Sequence, residues 1–441
     1  MSEVDDARLA RVALGWLVEP GSRALWLRVA EHGPVRVLEG LLATGREELM
    51  RQAAGARLGA ADPRQLAEAA LARARRLDAR VVIPEDEEWP HRLADLIGIC
   101  EADAEDPIDR DTAPPLCLWV RGPWRLDEAL DRSVAVVGAR AATEYGAQVA
   151  RQIGYGLAGR DWTVVSGGAY GIDAYAHRGA LAGGGITVAV LACGVDLAYP
   201  ASHASLFDRI AEDGLLVSEW PPGAEPFRHR FLIRNRVIAV ITRGTVVVEA
   251  GARSGALQTL RRAGQLGRCR MVVPGPVTSA MSIGCHEQLR QPAQITLVTG
   301  VPHIVEEVGR MGRDLAPVPR GPEHARDQLA PIEQRLLEAL LKRKPLSSEA
   351  VAARARVPAR EAMRILPNLV VRGFARRRAH GFILAPEGPS HEPPSPPSPP
   401  SPPSAAAAAE PALLPPVAPT IAPATAEPPR QVNLPTGRAA R

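Results

Sequence analysis

The sequence predicts an α/β fold. A mainly parallel sheet is covered by helices on both faces, with a small all-helical module ahead of it and a winged helix-turn-helix behind it. Three observations predict this. From residue 116 onward, short apolar runs rich in Val, Ile and Leu alternate with helix-like stretches, the pattern of strands buried on both sides. Before residue 60, segments of helical periodicity are broken by Gly and Pro. After residue 331, three short helical patterns precede two short strand patterns.

In chain order, residues 1–60 contain "DDARLARVALGWL", "GSRALWLRVAEH", "GPVRVLEGLL" and "GREELMRQAA", each read as a helix. Residues 61–114 hold a linker helix that opens with Asp62 as cap and Pro63 in the first turn, then a strand, then the acidic stretch 98–113, read as a solvated loop. Residues 115–310 form the α/β core. Its strands are expected at 116–122, 134–139, 163–168, 187–194, 215–220, 245–250, 270–275 and 295–298. Residues 311–330 read as a linker and 331–385 as the winged helix, in which Ser347 or Ser348 caps the second helix and Pro367 is expected to kink or shorten the third. Arg372, Arg376, Arg377 and Arg378 fall in or beside the wing. The Pro/Ser/Ala-rich tail 386–441 has no apolar face and is expected to be disordered.

With 441 residues, the chain is long enough for two or three domains. No stretch approaches the roughly 18 uninterrupted apolar residues of a membrane span. The acidic start "MSEVDDARLA" lacks a secretory pattern, and the five cysteines show no C-x-x-C spacing. Both features suit reduced thiols in a cytoplasm and disfavour a disulfide framework or a zinc site. The net charge of +4 hides a gradient: −7 over residues 1–113, +4 over 114–310 and +7 over 311–441. Lys342 and Lys344 are the only lysines. Arginine suits phosphate because its planar fork donates two parallel hydrogen bonds, although a G+C-rich genome also favours it.

Ligands of open α/β sheets bind beyond the carboxyl ends of the strands, and three features meet there. "VAVVGAR" places Gly138 and Arg140 after one strand. "VVSGGAYGID" places Ser166, Gly167, Gly168, Tyr170 and Gly171 at the next strand-to-helix turn, where glycines let backbone N–H groups curl toward an anion. "FRHRFLIRNRVIA" carries Arg228, Arg230, Arg234, Asn235 and Arg236, a density of cations unexpected for a buried helix start. Each alone has a plain reading: a tight turn, a surface arginine, a solvated face. Together they favour an extended polyanion over a single nucleotide. Neither G-x-G-x-x-G nor G-x-x-x-x-G-K-[ST] is present, so no dinucleotide or NTP cofactor is expected. Ser166, Asp173 and His177 lack the nucleophile elbow of a hydrolase; Asp173 is expected to brace the turn and His177 to pack behind it. Glu249 is the best single acid candidate, its plainer role being to accept from backbone N–H groups nearby. Tyr170, Trp220, Phe227 and Phe231 are stacking candidates, each as readily core.

The series V-G-A-R-x-x-T-x-Y-G (137–146), S-G-G-A-x-G-I-D (166–173), C-G-x-D-x-x-Y-P (193–200), S-E-x-P-P-G (218–223), R-N-R-x-I-A (234–239), V-V-V-E-A (246–250), S-G-A-L-x-T (254–259) and V-P-G (273–275) resembles the DNA-processing protein A family, DprA or Smf. The resemblance implies an extended Rossmann-like core that binds single-stranded DNA without base preference, delivers RecA onto it, acts as a homodimer and needs no cofactor or metal. It also implies a SAM/HhH-like character for the N-terminal helical module. Carried over, the DNA-contacting positions are Gly138 and Arg140, the turn Ser166 to Asp173, and Arg234, Asn235 and Arg236. The chain departs from the pattern at Tyr170, where members often carry lysine, and at His286, where asparagine is usual. "FLIRNR" also lacks the usual proline. Two rival functions stay open: a nucleotide N-glycosidase of the lysine decarboxylase-like group, and a duplex-binding regulator acting through the winged helix.

Overall fold

The computed structural model describes residues 3–43, 62–99, 112–291, 294–310, 314–317 and 326–385. The helix expected at "GREELMRQAA", most of the acidic 98–113 stretch, most of the 311–330 linker and the 386–441 tail lie outside the described residues. The chain forms two compact units, Met1–Val318 and Pro319–Arg441.

The first unit opens with helices α1 (Glu3–Leu17), α2 (Arg23–His32) and α3 (Pro34–Ala43), followed by α4 (Pro63–Arg76). Asp62 caps α4 by accepting from the Arg64 N–H at 2.9 Å. Ala13, Leu14 and Leu17 of α1 share one apolar cluster with Leu191, Phe207 and Leu216, so these helices pack onto the sheet. Arg8 and Arg11 tie α1 to Asp86 and Glu85, at 2.5 and 2.7 Å.

Among the described residues the sheet has nine strands: β1 (Ala79–Val82), β2 (Leu118–Arg121), β3 (Ser133–Val137), β4 (Thr163–Ser166), β5 (Thr187–Leu191), β6 (Leu215–Ser218), β7 (Gly244–Val247), β8 (Cys269–Val272) and β9 (Thr296–Leu297). Their spatial order is β1-β2-β6-β5-β4-β3-β7-β8-β9. Strands β3 to β9 pair in parallel, while β2 is antiparallel to both β1 and β6. Every residue of β3, β4, β5, β6 and β7 is buried, as their uninterrupted apolar runs require. The flanking helices are α5 (Leu126–Asp131), α6 (Glu144–Ala158), α7 (Ile172–Ala182), α8 (Ala204–Asp213), α9 (Arg228–Ile241), α10 (Gly255–Gln265), α11 (Ile283–Arg290) and α12 (Val301–Val308). Two apolar clusters fill the two faces of the sheet, one centred on Val188, Val217, Val237 and Ile241, the other on Val134, Val164, Ile153 and Ile304. The chain steps from β3 outward to β6, then returns to place β7 on the other side of β3. This reversal opens a crevice at the carboxyl ends of β3 and β7.

The second unit contains α13 (Pro331–Ala339), α14 (Ser348–Ala355), α15 (Ala359–Val371) and an antiparallel ribbon of β10 (Ala375–Arg378) and β11 (Gly381–Leu384). Ser347 caps α14, accepting from the Ala350 N–H at 3.2 Å. Leu336, Val351, Leu366, Leu369 and Phe374 form its core. Pro367 does not shorten α15. It sits exposed inside a helix that runs from Ala359 to Val371, held by the burial of Ile365, Leu366 and Leu369. Among the described residues, no helix is long and apolar enough to cross a membrane.

Candidate nucleic-acid interface

A cleft of about 850 Å³ lies over the carboxyl ends of β3, β4 and β7, between α9 and the start of α10. Gly138 and Arg140 follow β3 directly and form one wall; Arg228, Phe231 and Asn235 of α9 form the other; Arg253, Ser254 and Gly255 close it beyond β7. Arg140, Arg228 and Arg253 are exposed, and among the described residues none of the three makes an ion pair. The guanidinium of Arg140 lies 5.3 Å from the centre of the Phe231 ring, and that ring lies 5.4 Å from Tyr199, which is 47% exposed. Guanidinium groups and half-exposed rings thus share one concave surface, which combines phosphate attraction with stacking. Asp173 is the one carboxylate among the lining residues.

Two N–H groups of the glycine turn are taken up inside the protein rather than left for a ligand, and Ser166 is likewise bonded internally. The N–H groups of Gly167 and Ala169 both donate to Asp173 Oδ2, at 3.1 and 3.4 Å, and Ser166 Oγ donates to the Val136 carbonyl at 2.7 Å. Ser166, Gly167 and Gly168 are buried. Burial raises the Asp173 carboxyl above its usual range, opposed by the nearby Arg234 charge and by these N–H donors. Gly171 holds φ of +74°, and a Cβ there would sit 2.2 Å from the Ala139 carbonyl oxygen. Gly171→Ala is therefore expected to pull the start of α7 away from the β3 loop. Strained backbone alone costs about 1–3 kcal/mol, so thermal unfolding should shift down and affinity for the cleft's ligand should fall with it. Tyr170 is 50% exposed; its hydroxyl accepts from Ser202 Oγ at 3.0 Å and its ring meets His203 edge-on, outside the cleft lining.

The arginine cluster of α9 is corrected more sharply. Only Arg228 is exposed. Arg230 is 1% exposed: it donates to Glu19 at 2.9 Å and to the Glu225 carbonyl at 2.7 Å, and lies over the rings of Trp220 and Phe227. Arg236 is fully buried and donates to Glu219 at 2.7 Å. Arg234 is 4% exposed; it touches the cleft floor, but its Nη1 donates to the carbonyls of Gly167 (2.8 Å) and Val190. Burial lowers Arg234 to about 10, with Asp173 opposing and Arg140 adding to the shift, so it remains charged at neutral pH. Arg230 and Arg236 thus anchor α9, and Arg234 braces the glycine turn. Trp220 is likewise buried, with its Nε1 donating to Glu19, and is not a stacking platform.

The groups considered for catalysis are held in structural bonds. Glu249 is fully buried; it accepts from the Thr143 N–H at 2.9 Å and from the Thr143 hydroxyl at 2.5 Å. His177 is sealed behind the turn with Nδ1 2.7 Å from Thr187 Oγ1, and burial pushes it down to about 3. A histidine that folds neutral contributes stability present above its unfolded value near 6.5 and lost as pH falls toward 3. His177→Gln is therefore expected to flatten the stability–pH curve over that window, where the slope from this residue approaches about 1.4 kcal/mol per pH unit. Chemical denaturation at a series of pH values measures it.

Sequence reasoning missed Tyr199, Arg253 and the buried Thr259, all lining the cleft. Tyr199 lies in the loop after β5, Arg253 in the loop after β7 and Thr259 within α10. The two loop residues sit beyond strand ends, where the rule that placed Arg140 also points.

The family model described as DNA recombination-mediator protein A matches residues 80–309. A putative DNA processing protein DprA of Mycobacterium tuberculosis is 48% identical over 303 residues, covering 69% of this chain and 76% of that protein. The DNA processing protein DprA of Streptococcus pneumoniae is 40% identical over 181 residues, covering 41% of this chain and 63% of that one. The solved structure of the Streptococcus pneumoniae protein superposes with a TM-score of 0.50 at 28% identity, covering 70% of this chain and 98% of that one.

Proposed function

The chain belongs to the DNA recombination-mediator protein A family, and from that premise we propose that its cleft holds single-stranded DNA without base preference and that the bound strand is passed to RecA. The working species in this reading is a cytoplasmic homodimer, and the activity is binding rather than catalysis. One observation carries the DNA reading: Arg140, Arg228 and Arg253, free of ion pairs among the described residues, share a cleft with the Phe231 and Tyr199 rings. Three separated guanidinium groups suit consecutive phosphates, and the rings suit any base because every base has a stacking face. The family's description as a recombination mediator supports RecA as the receiver of the strand, since a mediator needs a recombinase to act on.

The test is a titration of the purified full chain with labelled oligo-dT and mixed-sequence single strands of equal length, alone and then with RecA. Equal affinity for both strands and faster RecA assembly on the coated strand are expected. A strong preference for one sequence, or RecA assembly slowed at every concentration, contradicts the reading. Sedimentation of the same sample reports whether the species is a dimer.

A further inference from the structure

We infer that the second unit carries its own nucleic-acid site, a cationic platform for the phosphate backbone of duplex DNA. Residues 326–385 contain thirteen Lys or Arg against five Asp or Glu. Six of these cations are placed by one small sheet. Leu346 pairs with Phe382, the Leu346 N–H donating at 3.0 Å and the Phe382 N–H at 2.8 Å, and the Leu384 N–H donates to the Leu341 carbonyl at 3.0 Å. The segment 341–346 therefore borders β11 on one side while β10 borders it on the other. Lys342, Arg343 and Lys344 are exposed on the first border, and Arg376, Arg377 and Arg378 on the second.

Among the described residues, none of the six makes an ion pair. The nearby Glu333 is taken up by Arg372 at 3.2 Å. Exposed like charges on both borders of one strand repel one another, and an arriving polyanion relieves that repulsion while releasing its own counterions. Along β10, Arg376 and Arg378 point to the same side about 7 Å apart, so successive contacts along a phosphate backbone are geometrically open to them.

The choice of duplex over single strand follows from what the platform lacks. The two Phe residues of this region, Phe374 and Phe382, are both buried, and it contains no Tyr or Trp. A single strand laid here would gain phosphate contacts but meet no exposed Phe, Tyr or Trp ring to stack on; a duplex keeps its bases stacked internally. The inference rests on the second unit alone and is independent of the cleft reading.

The experiment uses the full chain and two triple variants, Lys342→Gln/Arg343→Gln/Lys344→Gln and Arg376→Gln/Arg377→Gln/Arg378→Gln. Affinity for duplex and for oligo-dT of equal length is measured across a salt series. Each triple variant is expected to weaken duplex binding by about tenfold or more and to reduce the salt slope by about 0.9 for each phosphate it no longer neutralises. Affinity for oligo-dT should stay within about twofold of the parent, on the scale of a surface change remote from its site. A third variant, Arg376→Lys/Arg377→Lys/Arg378→Lys, should restore most duplex affinity, which a folding defect would not allow. The inference is overturned if the parent binds no duplex, if neither triple variant loses duplex affinity, if oligo-dT affinity falls in parallel, or if the platform captures an acidic protein instead.

Discussion

Arg236→Ala is expected to destabilise the fold by about 3–5 kcal/mol. Arg236 is fully buried in α9 and its Nη2 meets Glu219 Oε1 at 2.7 Å. Glu219 is itself buried, and burial raises its carboxyl while the adjoining Arg236 charge opposes the rise. Removing the guanidinium leaves a carboxylate with no compensating charge in a site largely shielded from water, and folding must either bury that charge or protonate it. The pair also has slack: among the described residues, Arg236 Nε and Nη1 and Glu219 Oε2 find no hydrogen-bond partner. The double variant Arg236→Met/Glu219→Leu should therefore recover much of the loss, because an incompletely satisfied buried pair replaced by apolar groups of similar size is often neutral. Urea unfolding of the two variants measures both. A double variant no more stable than Arg236→Ala would show that the two charges act separately.

Arg140→Ala is expected to have the largest effect on DNA binding. Its guanidinium is exposed at the mouth of the cleft and lies over Phe231, so its removal takes away a phosphate ligand and the cation beside a stacking ring. Single-stranded sequences should weaken alike, and the salt slope should fall by about 0.7. The shared weakening across sequences is the informative part, because a base-reading arginine would lose affinity for some sequences only. Arg230→Ala and Arg236→Ala provide the contrast. Both residues are buried and bonded to Glu19 and Glu219, so their variants should lose stability while the folded fraction keeps its salt slope.

The α/β core was legible because its strands are continuous Val/Ile/Leu runs, which belong only where both faces of a sheet are covered. All eight runs expected between 116 and 298 overlap a strand. The crevice was legible by rule, since Arg140 and the glycine turn both follow strands. The burial of the α9 arginines was not legible. Their partners Glu19 and Glu219 are 211 and 17 residues away along the chain, and local sequence does not separate an arginine facing water from one facing a distant carboxylate. The same blindness hid the use of two of the turn's N–H groups: Asp173 sits only six residues from Gly167, yet the glycine spacing would look the same with a phosphate in its place. Tyr199 stands in the C-G-x-D-x-x-Y-P series, yet nothing local marks it as a site residue; only the tertiary contact with Phe231 brings it to the cleft.

The central claim is that single-stranded DNA lies in the cleft at the ends of β3 and β7. Photocrosslinking of a halogenated-uridine oligonucleotide to the full chain, followed by mapping of the attached peptides, tests it most directly. The account predicts attachment at Phe231 or Tyr199. Attachment confined to residues 331–385, or to surfaces of the first unit away from the cleft, would contradict it.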